Sequence, residues 1–433
     1  MPETQPPPRL LALLGSGETA PTMVKVHRLV FDRLPPPSPA SPAVVLDTPY
    51  GFQENADDIS ARTVEYFAKS VGRRVEVAGL SRLEPAAEGP RKPLDPLGRE
   101  AGLARVASAG WLFAGPGSPT YALRQWSDSE VPSLISDKLT HGGAVVFASA
   151  AALTLGRWTV PVYEIYKSGG EVVWADGQDL IRFLGDVAVI PHYNNAEGGH
   201  HDTRYCYLGE TRLRALESQL PPNGWVLGVD EHTALLFDLD ASTASVIGRG
   251  VVTVRRQGRS VVLPAGETMP IAALVGLDVG KGAPAAAHPA GASADAASTS
   301  GDATALHSEV RRAEAAFEQS LVDADVDAAT RVALELEETL AAWARDTTQS
   351  DATDRGRAAL RRMVVRLGQL GLLGARDPRS LVAPYVEALL AERDAARTAK
   401  RFDEADRVRD RLAAAGVEVR DTPAGTEWTV QDR

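Results

Sequence analysis

Cysteine is almost absent from this chain, with Cys206 standing alone among 433 residues. That excludes an intrachain disulfide and any zinc cluster built on cysteines, and it fits a reducing compartment. The sequence has no uninterrupted apolar run of membrane-spanning length, and its start, MPETQPPPR, lacks the basic opening and apolar core of a secretory signal. A cytoplasmic location without membrane association is therefore expected. Positive charge is also in deficit: 46 Lys plus Arg stand against 57 Asp plus Glu, for a net charge of −11. This argues against a broad electrostatic hold on nucleic acid but leaves a local basic face open.

The length exceeds what one hydrophobic core usually serves. Between residues 9 and 276, the runs RLLALLG, AVVLDT, RRVEVAGL, GWLFAG, GGAVVFAS, LGDVAVI and GWVLGVD alternate with helical stretches. This predicts an α/β domain with a mostly parallel sheet. The later runs TALLFDL, TASVIG, VVTVRR and RSVVLPAG have no helices between them and predict a β meander at its edge. Residues 277–304 are rich in Ala, Gly, Ser and Pro, which predicts a flexible linker. Over residues 305–376 apolar residues recur at helical spacing, with Phe317, Leu321, Leu334, Leu336 and Leu340 as candidates for the core of a helical bundle. Residues 379–433 read as a helix reaching Gly416 and a short hairpin around Pro423 and Gly425. No internal repeat is visible.

The densest chemistry begins at Gly142 and Gly143, which open an apolar strand ending at Ser149 before small helix-forming residues. A serine on a sharp strand-to-helix turn has its hydroxyl pushed clear of the sheet, beside backbone N–H groups suited to a developing negative charge. His192 and Glu231 each follow a further predicted strand. Serine, histidine and glutamate can form a triad if those strands lie side by side in one sheet. From His192 to Asp202 the chain holds three histidines, Glu197 and Asp202 around a glycine pair. Such a set suits a divalent ion, but adjacent His200 and His201 usually point apart and an active-site loop has the same composition, so no metal or cofactor is expected. The loop Gly15, Ser16, Gly17, Glu18 lacks the lysine of a P-loop and the third glycine of a dinucleotide fingerprint, and reads as a turn beside the site. Cys206, between two tyrosines, reads as a packed thiol.

At these three positions the N-terminal part resembles the cyanophycinase and peptidase E family of serine peptidases, which share the flavodoxin-like three-layer fold of class I glutamine amidotransferases. The segments LLALLGSGE, LFAGPGSPTYAL and GVDEHTA add to the resemblance. It implies Ser149 as nucleophile, His192 as general base and Glu231 as the group orienting the imidazole. It also implies oxyanion donors at the N–H of Ala150 and at Gly115 or Gly117, since Pro116 between them has no N–H. Arg204, Glu197 and His200 are the expected substrate-binding residues, Arg204 holding a carboxylate by a bidentate pair. The family's usual glycines two positions either side of the serine are Phe147 and Ala151 here. A second reading therefore stays open, in which the fold is an inactive scaffold binding tRNA or a protein.

The C-terminal part resembles the anticodon-binding region of cysteinyl-tRNA synthetase, most closely in LLAERDAARTAKRFDEADRVRDRLAAAGVEVRDTPAGTEWTV. This implies RNA contacts at Lys400, Arg401 and Arg407, with Trp428 stacking a base. Neither the HIGH-type nor the KMSKS-type ATP signature occurs, so aminoacylation is not expected. The expected partners are a small peptide or amide substrate and tRNA, and a homodimer is left open.

Overall fold

The computed structural model describes residues 7–83, 94–196, 201–281, 283–284, 305–344, 352–374, 378–422 and 425–431. The chain forms two compact units, Met1–Arg311 with Glu337–Gly356 and Arg312–Leu336 with Arg357–Arg433. Most of the stretch expected as a linker lies outside the described residues. Among the described residues no helix is long and apolar enough to cross a membrane.

The strands of the first unit begin with β1 (Arg9–Leu14), β2 (Ala43–Val45), β3 (Glu76–Val77), β4 (Trp111–Ala114) and β5 (Gly143–Ala148). Next come β6 (Trp158–Thr159), β7 (Ala175–Asp176), β8 (Val187–Ile190), β9 (Trp225–Val229) and β10 (Thr233–Asp238). The series ends with β11 (Thr243–Gly248), β12 (Val251–Arg256), β13 (Arg259–Pro264), β14 (Thr268–Pro270) and β15 (Ala283–Pro284). Its helices are α1 (Val24–Phe31), α2 (Ala56–Tyr66), α3 (Pro96–Ser108), α4 (Pro119–Trp126) and α5 (Val131–His141). These are followed by α6 (Ser149–Leu153), α7 (Val162–Tyr166), α8 (Gly209–Glu217) and α9 (Ile271–Val275).

The strands divide between two sheets, ordered β14-β11-β10-β1-β5-β4-β2-β3 and β15-β13-β12-β9-β8-β6-β7. In the first, β1, β5, β4, β2 and β3 run parallel, and β10 joins β1 antiparallel. In the second, β6, β8 and β9 run parallel and β12 joins β9 antiparallel. The α/β class is as expected, but the strands before Ser149, His192 and Glu231 do not share one sheet: β5 lies in the first, β8 and β9 in the second. The expected meander is likewise split, with β10 and β11 in one sheet and β12 and β13 in the other.

Alternation along β1 and β5 buries both faces of the first sheet. Leu11, Leu13, Val145 and Phe147 share one core with Val187, Val189, Trp225 and Leu227 of the second sheet. Leu10, Ala12, Leu14, Val146 and Ala148 pack on the other face with Val26, Val30 and Phe31 of α1. Ile190 and Val226 of the second sheet pack with Leu213 and Leu216 of α8.

The helices α10 (Ala305–Val322), α11 (Val326–Trp343) and α12 (Ala352–Gly374) are each shared between the units. Phe317, Leu336 and Leu340 are buried, but Leu334 is 60% exposed. The buried stripe of α11 runs through Ala329, Ala333, Leu336 and Leu340, and Leu334 is one residue off it. The helix expected to reach Gly416 is two helices, α13 (Pro378–Thr398) and α14 (Phe402–Ala414), before the hairpin β16 (Val417–Thr422) and β17 (Gly425–Val430). The break falls at Lys400, whose φ of 63° turns the chain left-handed while Arg401 N–H donates to the Ala396 carbonyl.

Candidate active site

Ala148 ends β5 with extended backbone, and Ser149 then takes a φ of 49°, turning abruptly into α6. The turn brings Ser149 Oγ to 2.9 Å from His192 Nε2, and His192 Nδ1 lies 2.8 Å from Glu231 Oε1. An ionised carboxylate only accepts, so Nδ1–H donates to Glu231 and Nε2 is left to accept from the serine hydroxyl. Burial alone would raise the Glu231 carboxyl, but the His192 hydrogen bond, the neighbouring imidazoles and Asn195 together hold it below its ordinary value. Phe147 does not stand in the way: it is fully buried on the core side of β5, its ring 6.1 Å from that of Trp126. The three groups named from the sequence are thus in one hydrogen-bonded line, although their strands come from two sheets.

Backbone stitching across the sheets makes this possible. His192 N–H donates to the Gly15 carbonyl at 3.2 Å, Gly15 N–H to Thr233 at 2.9 Å and His232 N–H to Ser16 at 3.2 Å. A Cβ on Gly15 would lie 1.9 Å from the Asp230 oxygen, so only glycine permits this approach of the chain next to Glu231. The loop from Gly15 is therefore a turn at the rim of the site.

Two further devices hold the histidine and glutamate. Asn194 Oδ1 accepts Glu231 N–H at 2.8 Å, and Asn195 Nδ2 donates to Glu231 Oε1 at 3.2 Å. Tyr205, Cys206 and Tyr207 have φ of 62°, 56° and 66°, three consecutive left-handed side-chain-bearing residues. Each such residue costs on the order of 1–3 kcal/mol, so the surroundings must impose the turn. Its amides account for this: Tyr205 N–H donates to Tyr193 and Cys206 N–H to the His192 carbonyl, at 2.9 and 3.1 Å. Behind it the fully buried Arg255 of β12 bonds Glu210 and Glu217 of α8 at 2.6–3.0 Å and lies 5.4 Å from the Tyr205 ring. Burial pushes the Cys206 thiol up to about 12, which makes it an inert packed group.

Of the expected oxyanion residues, Ala150 directly follows Ser149, and the Gly115 carbonyl accepts from Ala151 N–H at 3.3 Å, which sets that loop against the start of α6. Gly117 presses on the Pro49 carbonyl, where a Cβ would be 2.0 Å away, and its own carbonyl accepts from Tyr163 Oη. Arg204 does not present an open fork to a substrate carboxylate. Its Nε and Nη2 both bond Asp202 at 2.8 Å, and this pairing holds the Asp202 carboxyl down to about 2. Glu197 and His200 lie outside the described residues. Among the described residues no group of three or more His, Cys, Asp or Glu is arranged to hold a metal.

Sequence reasoning missed Asn194 and Asn195, whose roles depend on a turn that composition does not reveal. It also missed an aromatic ladder leading outward from His192 through Tyr207, Tyr166 and His201, with ring centroids 6.3, 5.3 and 6.3 Å apart.

In the second unit, α13, α14 and the hairpin enclose Val386, Leu390, Leu412, Val417 and Trp428. Trp428 is only 7% exposed, with Arg379 5.0 Å from its ring, so it is a core residue and cannot stack a base. Lys400, Arg401 and Arg407 are exposed, Arg401 paired with Glu404. Residues 381–428 match the cysteinyl-tRNA ligase anticodon binding domain. A cysteine–tRNA ligase of Halorhodospira halophila is 49% identical over 67 residues, 14% of this chain and 14% of that protein. One of Nitratidesulfovibrio vulgaris is 60% identical over 45 residues, 10% of this chain and 9% of the ligase. The chain thus spans about one seventh or less of these relatives, and the likeness concerns the anticodon-domain segment. For the other unit, solved structures include a peptidase from an acI-B1 Actinobacterium (TM-score 0.46, 19% identity, 61% of this chain and 97% of that one). A putative peptidase E protein from Listeria monocytogenes EGD-e gives a TM-score of 0.34 at 16% identity over 57% of this chain and 98% of that one.

Proposed function

We propose that the first unit is a serine-type hydrolase that cleaves a peptide or isopeptide amide bond. The observation that carries this is the line Ser149 Oγ, His192, Glu231, with contacts of 2.9 and 2.8 Å and the serine in left-handed backbone at a strand end. Ser149 Oγ attacks the carbonyl carbon as its proton passes to His192 Nε2, and Glu231 stabilises the imidazolium through Nδ1–H. The oxyanion is met by Ala150 N–H and by a glycine amide, Gly115 or Gly117. Collapse expels the amine with the proton from His192, and water then hydrolyses the acyl-enzyme by the same route. A retained but inactive scaffold would not need this alignment. A fluorophosphonate should label the full chain at Ser149 and leave Ser149→Ala unlabelled; equal labelling of the two would remove Ser149 from the mechanism.

Asn195 is a positioning residue in this reading. Losing one hydrogen bond to a charged group, as in Asn195→Leu, should lower kcat by about tenfold. Because the amide favours the ionised carboxylate, its loss raises the Glu231 pKa, and the acid limb of the kcat/KM profile should move to higher pH. A uniform loss with no shift would mean that Asn195 is only structural.

The second unit is read as an accessory that binds tRNA, on the strength of the match at residues 381–428. Lys400, Arg401 and Arg407 are its proposed contacts. The full chain should prefer cysteine tRNA to an unrelated tRNA, with affinity falling as salt rises and falling again when the three are changed to alanine. Equal binding of both tRNAs, unaffected by the substitutions, would refute this part.

A further inference from the structure

At the opposite end of the parallel strands from Ser149 lies a cavity of about 350 Å³. Its wall includes Pro7 before β1, Gly110 before β4 and Gly143 at the start of β5, so nothing in the hydrolase reading uses it. The size is within the range of small-ligand sites. Phe31, Leu34 and Pro42 give it an apolar side. A buried cation also lines it. Lys138 of α5 is only 5% exposed, and its Nζ donates to the Ala107 carbonyl at 3.1 Å. Trp111, 1% exposed, contributes part of the wall, its ring stacked on Phe31. A buried ammonium with one carbonyl partner is costly unless a further acceptor joins it.

We propose that this cavity is a second ligand site, taking a small carboxylate with an apolar body, the carboxylate on Lys138 and the body against Phe31, Leu34 and Pro42. Lys138 supplies a charge-assisted bond to the anion, the strongest single contact available there. Asp137 and His141 also line the cavity, but they pair with each other at 3.5 Å and are 66% and 74% exposed, which places them at its mouth. Burial lowers the Lys138 amine to about 8, partly opposed by Asp137, so the site holds its cation at neutral pH and loses it in mild alkali.

The test is a calorimetric titration of the full chain with benzoate, against its neutral isostere benzamide. Benzoate should bind once per chain at pH 7, more tightly than benzamide, and perturb Trp111 fluorescence. Raising the pH to about 9.5 should weaken benzoate by about 30-fold, as a cation titrating near 8 is lost, and leave benzamide unchanged. The same pH series on Asp137→Asn/His141→Gln separates Lys138 from the other titratable groups in the wall. Lys138→Met should abolish the preference for benzoate. Should that variant not fold, the pH series on the unaltered chain still decides. Absence of benzoate binding, equal binding of the two probes, or a benzoate affinity indifferent to pH would each overturn the proposal. None of these results bears on Ser149.

Discussion

Replacing Ser149 by alanine should reduce turnover of an amide substrate by about 10⁴-fold or more while leaving the fold and substrate binding intact. The hydroxyl makes one hydrogen bond, to His192, and sits in partly exposed backbone, so its removal opens no core cavity. The loss should appear in kcat and leave KM nearly unchanged, because in the proposed mechanism Ser149 acts on the reacting carbon and not on the remote parts of the substrate. His192→Ala should cost a similar factor, and the double variant little more than either alone, since nucleophile and base work as one unit. Multiplicative losses, or turnover surviving in Ser149→Ala, would show that the aligned line is not the machinery.

The largest effect on stability is expected at Arg255. This guanidinium is fully buried between Glu210 and Glu217, and removing it leaves two carboxylates facing each other in a low dielectric. Arg255→Met should destabilise the first unit by about 3–5 kcal/mol at pH 7, read as a lower urea midpoint. The pH dependence has a definite sign. In the native protein burial tends to raise the Glu210 carboxyl, but Arg255 and Arg214 hold it below its ordinary value, so its contribution is present above that value and lost as pH falls through the lowered one. In the variant Glu210 keeps only Arg214 against its burial, so its carboxyl rises relative to the native protein and the folded state gains by taking up a proton. The gap between the two proteins should therefore narrow from pH 7 towards pH 5. Adding Glu210→Gln and Glu217→Gln should recover part of the loss. A midpoint unchanged by Arg255→Met would contradict this account.

The candidate triad was legible because each member ends an apolar run, and a chain leaving a buried strand must turn at its end. The partition into two sheets was not legible. The runs of β10 and β12 are both buried almost throughout, and nothing in either states which neighbour it will pair with. Helix periodicity located α11 but not its rotation, since Ala333 and not Leu334 lies on the buried stripe. The charge-rich helix ending at Gly416 gave no warning of its break, because the left-handed residue is Lys400 and not a glycine. Trp428 shows the reverse error, an aromatic assigned to ligand contact that the hairpin instead uses as its core. Arg204 failed for a local reason: its acidic partner, Asp202, is two residues away.

The passage from β9 to β10 takes only Asp230, Glu231 and His232, and it carries the chain from one sheet to the other. His192 and Glu231 follow the paired strands β8 and β9 of the second sheet, so Ser149, at the end of β5 in the first, is in line with them only after both sheets have formed and docked. Contacts between segments so distant in sequence close late, since loop entropy opposes them until their neighbours are in place. The line Ser149, His192, Glu231 is thus expected to close late in the domain's assembly. A chain still being synthesised, or trapped with one sheet formed, carries Ser149 without His192 and Glu231 beside it.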